Sequence, residues 1–273
     1  MNTYNLDIFG LAFDPFDKDN QSISDSFESR DQKEMMKRLK YLSEVRGIGV
    51  FTATPGMGKS YTMRRFEKGL NDNLFTVKYI CLSTVTVSEF YKQLCSRLAI
   101  PTRGGKTEMF KNLQTYIYHL YRDKKKTLII IIDEAQYLKT SVLYDLKMLM
   151  NFVYDSLNCF TLILSGESHL NNTLELTVHE ALRQRIVTHY DFQGLSADEI
   201  PDYVRHKLAL ANGAPELIRE EALSALISYC RGNPRIIDKT MSNALRFGAD
   251  LRHNYIDASL MELAIEDQAL IKN

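Results

Sequence analysis

Residues 48–60 read Ile48-Gly49-Val50-Phe51-Thr52-Ala53-Thr54-Pro55-Gly56-Met57-Gly58-Lys59-Ser60. A β-prone apolar run ends in a Gly-rich turn, and the turn ends in Gly-Lys-Ser. A helix-compatible segment, 61–70, follows. Strand, loop and helix in this order are what a phosphate-binding loop requires. Its main-chain N–H groups cradle a triphosphate, and the following helix N-terminus adds partial positive charge. Lys59 reaches the β- and γ-phosphates, and Ser60 offers its hydroxyl to Mg²⁺. Gly56 and Gly58 permit backbone angles and a close approach that a Cβ would block. The strict pattern begins with Gly where this chain has Ala53, which is still small enough for the turn. Thr54, Pro55, Gly56, Met57, Gly58, Lys59, Ser60 and Tyr61 are therefore the candidate nucleotide-binding residues.

Working outward, the run Thr127-Leu128-Ile129-Ile130-Ile131-Ile132 reads as a strand buried on both faces, as in a parallel sheet. It ends in two adjacent carboxylates. Asp133, at the strand's end, holds Mg²⁺ directly or through water, and Glu134 polarises the attacking water. With the loop upstream, the pair makes ATP hydrolysis the reading and ATP binding without turnover the fallback. A second buried-type strand, 159–165, ends in Ser165-Gly166-Glu167-Ser168.

The 273 residues suit one large domain, or a core with a small lid. Hydrophobic residues make up 45% and charged residues 25%, ordinary for a globular chain. Net charge is zero, so no global field draws the protein to nucleic acid, and any DNA contact must be local. The longest apolar runs, 128–132 and 160–164, are too short to cross a bilayer. The start of the chain lacks a basic-then-apolar signal pattern. Cys81, Cys95, Cys159 and Cys230 are scattered without a metal-like pair. They read as reduced thiols in a cytoplasmic protein without membrane contact.

Residues 4–17 are aromatic-rich, and Phe9, Phe13 and Phe16 either close over an adenine or pack on the core. Residues 1–30 form an N-terminal arm, 31–195 the nucleotide-binding core and 196–273 an α-helical lid. Helices are expected at 31–46, 86–98, 108–121 and 141–154, and strands at 75–82 and near 188–192. Ser196-Ala197-Asp198-Glu199 reads as a capping box. Beyond it the pattern is helical only, near 197–211, 219–230, 235–248 and 257–268. Within 102–126, seven basic residues face two acidic ones. The run is either a solvated face or a contact for a phosphate backbone. Arg103, Lys106, Thr107 and Lys111 are the candidate DNA contacts. Lys124, Lys125 and Lys126 lie just before the buried strand, away from the nucleotide.

In this order the landmarks resemble the AAA+ ATPase superfamily: the phosphate loop, Asp133-Glu134, a strand ending in a polar residue, an arginine near 185, and Gly232-Asn233-Pro234-Arg235. Phe9-Gly-Leu, Asp133-Glu-Ala-Gln and Leu182-Arg-Gln-Arg-Ile186 resemble one bacterial branch. That branch contains the ExeA-like ATPases and the transposition ATPases TniB and TnsC. The resemblance implies an α/β fold with a parallel five-stranded sheet flanked by helices, then a small α-helical lid, with the nucleotide between them and beside a neighbouring subunit. It implies that Arg235 is the lid's sensor arginine, and that Arg185, or Arg183, is a finger reaching a neighbour's nucleotide. Ser165 or Glu167 fills the first sensor position, where the usual residue is Asn.

Besides an unspecialised loader or signalling ATPase without DNA binding, two jobs of different class follow. One is a regulator of transposition that assembles on duplex DNA as a ring or helical filament and recruits a separate transposase. The other is a secretion-type assembly ATPase. Relatives of the second type carry a membrane span and a wall-binding domain after the ATPase. Neither is read before Asn273, so the expectation leans to transposition.

Overall fold

In the computed structural model the described residues are 5–20, 26–81 and 84–269. They fall into two compact units: a helical unit of residues 1–33, 56–58 and 193–273, and a sheet unit of 34–55 and 59–192.

The sheet unit contains five parallel strands: β1 (Gly47–Ala53), β2 (Phe75–Ile80), β3 (Thr127–Ile132), β4 (Phe160–Gly166) and β5 (Ile186–Phe192), in the order β2-β3-β4-β1-β5. Parallel strands need crossovers, and helices supply them. They are α2 (Lys59–Lys68), α3 (Val87–Arg97), α4 (Lys106–Arg122), α5 (Thr140–Leu149), α6 (His169–Glu175) and the single turn α7 (Glu180–Arg183); α1 (Arg30–Val45) leads into β1. Helices on both faces explain why β1, β3 and β4 are apolar and buried throughout rather than alternating. Burying each isoleucine of β3 contributes about 1.5–3 kcal/mol. That burial holds the strand in the sheet interior, so its last residue delivers Asp133 at a fixed height.

The strand order decides where a ligand goes. β1 and β3 flank β4, so the loop after β1 and the carboxylates after β3 emerge on either side of the end of β4. A crevice at the carboxyl ends of the strands is where open parallel sheets bind ligands.

The helical unit holds α8 (Ile200–Leu210), α9 (Glu220–Cys230), α10 (Pro234–Asp250) and α11 (Ala258–Ala269). The first segment of the chain belongs to its core. Phe9, Leu11 and Phe16 are buried among Tyr203, Val204, Leu208 and Leu245. The aromatics therefore pack in the core of the helical unit. Asp14 accepts from the Phe16 N–H at 2.9 Å and from the Ser242 hydroxyl at 2.8 Å. Beneath them the Lys207 ammonium pairs with Asp238 at 2.8 Å and lies over the Phe16 and Tyr203 rings. Burial pushes its pKa down, while Asp238 pulls it back up.

Three sequence expectations are corrected. The helix expected to reach 154 stops at Leu149. Val153, Tyr154 and Asp155 take left-handed backbone conformations in a tight loop closed by a Phe152–Leu157 bridge. Ser196 does not cap a helix. Its N–H and hydroxyl both donate to one oxygen of Glu199 while the other takes the Arg30 N–H, and α8 starts only at Ile200. The helix expected at 108–121 starts earlier, at Lys106, with Gly105 as N-cap.

Candidate functional site

Asp133 is the hub of the sheet unit's polar cluster. One carboxylate oxygen accepts from the Ser165 hydroxyl at 2.6 Å and the Glu134 N–H at 3.1 Å. The other accepts from the Tyr79 hydroxyl at 2.7 Å and the Ser60 hydroxyl at 3.2 Å. Burial alone would raise the pKa of this carboxyl. The hydrogen bonds from Ser165 and Tyr79, and the nearby Lys59 ammonium, outweigh burial and hold it below the usual range. Tyr79 shifts the other way, through burial and its bond to Asp133, so it stays protonated and donates.

Lys59 opens α2. Its ammonium donates to the Gly166 carbonyl at 2.6 Å and stands 4.0 Å from Asp133. Burial lowers its pKa, opposed by Asp133, Glu134 and Glu167. A desolvated cation held mainly by a carbonyl gains much from an incoming phosphate. Glu134 has a left-handed backbone (φ 53°, ψ 37°), a sparsely populated conformation for a residue with a Cβ and one that concentrates at working sites. Its carboxylate accepts from the Gln136 amide at 2.6 Å.

Gly56 and Gly58 have φ of 90° and 103°, the left-handed region in which glycine is needed. Both group with the helical unit. There the Arg235 N–H donates to the Gly56 carbonyl at 3.3 Å, and Asn233 caps α10 through the Arg235 and Ile236 N–H groups. A Cβ on Gly56 would meet the Asn233 Oδ1 at 2.7 Å. Thr54 and Pro55 close the β1 end of the loop, and Tyr61 follows Ser60 in α2.

The donor set fits a triphosphate with Mg²⁺. Magnesium takes one or two carboxylates and completes its shell with phosphate and water. Ser60 and Asp133 are adjacent and would hold it, and Lys59 would take the terminal phosphates. Mg²⁺ would supply positive charge to neutralise the phosphates. No cluster of three or more His, Cys, Asp or Glu side chains suited to a metal occurs among the described residues.

The other candidates are placed as follows. Ser165 is bonded to Asp133, whereas the Glu167 carboxylate lies 3.5 Å from His169. Arg183 donates to the Leu174 and Glu175 carbonyls at the end of α6. Arg185 donates to the Lys147 carbonyl at 2.8 Å and pairs with Asp155. Both arginines thus have partners in their own chain. Arg103, Thr107 and Lys111 are exposed. Lys106 is not a free surface cation: its ammonium pairs at 2.7 Å with buried Asp145, which also accepts from the Tyr91 hydroxyl. Lys124–126 sit at the opposite end of β3 from Asp133.

Two residues of the cluster were not singled out from the sequence. Tyr79 sits on β2 opposite Ile131 in register, and only strand pairing brings it to Asp133. Gln136 entered only as part of a resemblance motif.

Comparison with known proteins agrees with the fold. Residues 42–174 match the AAA domain family. Over 244 residues the chain is 26% identical to general secretion pathway protein A of Aeromonas hydrophila, covering 87% of this chain and 43% of that protein. The chain thus spans less than half the length of that relative. Among solved structures, the ORC2 protein of Aeropyrum pernix in ADPNP and ADP complexes superposes with a TM-score of 0.67 at 15% identity, covering 94% of this chain and 72% of that one. The ORC1 protein of the same organism, in complex with DNA, gives 0.63 at 15% identity, over 93% and 68%. Sheet order, phosphate loop and helical region define an AAA+ P-loop NTPase fold. In sequence the chain is similar to a general secretion pathway protein, and in fold to the ORC proteins. No helix among the described residues is long and apolar enough to cross a membrane.

Proposed function

We propose that this chain hydrolyses ATP with Mg²⁺ and uses the nucleotide to assemble as a ring or helical filament on duplex DNA, where it regulates a separate transposase. The observation that carries the hydrolytic part is the convergence of Lys59, Ser60, Asp133 and Glu134 at the carboxyl ends of β1 and β3. Lys59 binds the terminal phosphates, Glu134 takes a proton from the attacking water, and Asp133 with Ser60 holds the metal. Arg235 senses the γ-phosphate from the helical lid. Arg185 leaves Asp155 on assembly and reaches the neighbour's nucleotide.

DNA contact is supported by the exposed stretch 102–105, by Arg103 and Lys111 beside the start of α4, and by the ORC1 relative's complex with DNA. Contacts there are to phosphate and tolerant of sequence. Weak contacts repeated along an oligomer sum by multivalency. The likeness to general secretion pathway protein A favours a second reading, an assembly ATPase that does not use DNA.

Fluorescence anisotropy with a labelled duplex across a salt series separates the two. With ATP the parent is expected to bind, and affinity should fall with salt by roughly one logarithmic unit of slope per phosphate contacted. Arg103→Ala with Lys111→Ala should weaken binding on every sequence and flatten that slope by up to about two. Lys106 is spared because its loss would strand Asp145. Triple substitution of Lys124–126 by alanine should change nothing. Weaker binding by that triple variant alone would move the interface to the other end of α4. No binding by the parent with ATP would leave the DNA-independent reading.

A further inference from the structure

We propose that Gln136 is a positioning residue of the hydrolytic site, fixing the Glu134 carboxylate and tying it to the peptide that holds Lys59. The inference rests on the reading of Glu134 as the base. Gln136 is buried at the start of the turn after β3. Its Nε2 donates to the Glu134 Oε2 at 2.6 Å, and its Oε1 accepts from the Glu167 N–H at 3.0 Å. The same peptide unit presents the Gly166 carbonyl to the Lys59 ammonium at 2.6 Å. In a trans peptide the C=O and N–H point in opposite directions. Lys59 and Gln136 therefore hold the two poles of one plane. Gly166 makes the approach possible, because a Cβ there would stand 2.5 Å from the Gln136 Oε1.

The chain of contacts has a direction. A cation on the Gly166 carbonyl polarises the amide and strengthens the Glu167 N–H as a donor. When Lys59 turns to a phosphate that support is withdrawn, and the grip of Gln136 on this peptide weakens. Nucleotide occupancy is thereby transmitted to the residue that orients the base. The Glu134 backbone is held in a sparsely populated conformation, and the Gln136 amide anchors its side chain. With Oε2 anchored, Oε1 is the oxygen left to take the water's proton.

Two near-isosteric variants divide the contacts. Gln136→Met removes both. Gln136→Glu keeps an oxygen for the Glu167 N–H but sets a like charge against Glu134. Steady-state ATPase and binding of a fluorescent ATP analogue are measured for each, alone and combined with Glu134→Gln. Misplacement of a base by about 1 Å costs up to ~10²-fold in rate. We expect kcat to fall at least ~10-fold in Gln136→Met and further in Gln136→Glu, with KM and analogue affinity within about twofold. In the Glu134→Gln background neither should lower the residual rate further, since groups acting as one unit are not additive. Parental kcat in Gln136→Met, a change confined to KM, or an equal loss in the Glu134→Gln background would each overturn the proposal. A parental rate in Glu134→Gln alone would instead condemn the base itself.

Discussion

Lys59→Ala is expected to abolish measurable ATP binding while leaving the fold intact. The ammonium stands 4.0 Å from Asp133, and its field opposes those of Asp133, Glu134 and Glu167. Without it a triphosphate would meet three carboxylates with one compensating charge fewer. A charge-assisted hydrogen bond contributes roughly 1.5–3 kcal/mol, and the exposed repulsion adds to that loss. Kd should rise by more than ~10²-fold. Calorimetric titration with ATP and Mg²⁺ reads it, with a thermal melt of the nucleotide-free variant as the control for folding. A parental Kd would remove Lys59 from the site.

Arg185→Ala is expected to lower ATP turnover by about 10³-fold without loss of nucleotide binding, the size of effect associated with an arginine finger. Mixing is the diagnostic. A Lys59→Ala subunit cannot bind ATP but still carries Arg185, whereas an Arg185→Ala subunit binds ATP but lacks the finger. Together they should recover part of the activity. In the single chain Arg185 is held by the Lys147 carbonyl and Asp155 and is largely buried, so a role in trans requires that pair to open on assembly. No recovery at any ratio, with both variants folded and co-assembling, would leave Arg185 as a tether between α5 and the loop after it. Arg183 caps α6, and its alanine variant should lose thermal stability without complementation by mixing.

The cluster around Asp133 was legible in part because its residues lie at the ends of strongly patterned elements. The run 127–132 is buried without alternation and ends in Asp133, and the glycines of the loop take the backbone angles that the turn demands. The five strands of the parallel sheet were what the AAA+ resemblance implied. What was not legible depends on register and long-range pairing. Tyr79 reaches Asp133 only because β2 lies beside β3, and nothing local to residues 75–80 announces that. Lys106 is exposed as read, but its pairing with Asp145 was hidden because that partner is far along the chain on another helix. The helix predicted to 154 failed because Val153, Tyr154 and Asp155 turn back in left-handed conformations that their side chains do not favour. The opening aromatics carry no period, and only their burial in the helical unit shows what they do.

The central claim is that Glu134 makes a nucleotide-binding loop into an ATPase. The direct test measures ATP binding and phosphate release on the same preparations of parent and Glu134→Gln. The amide keeps size and hydrogen bonding but cannot take the water's proton. Binding should stay within about twofold of the parent while turnover falls at least ~10²-fold. Equal phosphate release by the two proteins would contradict the account.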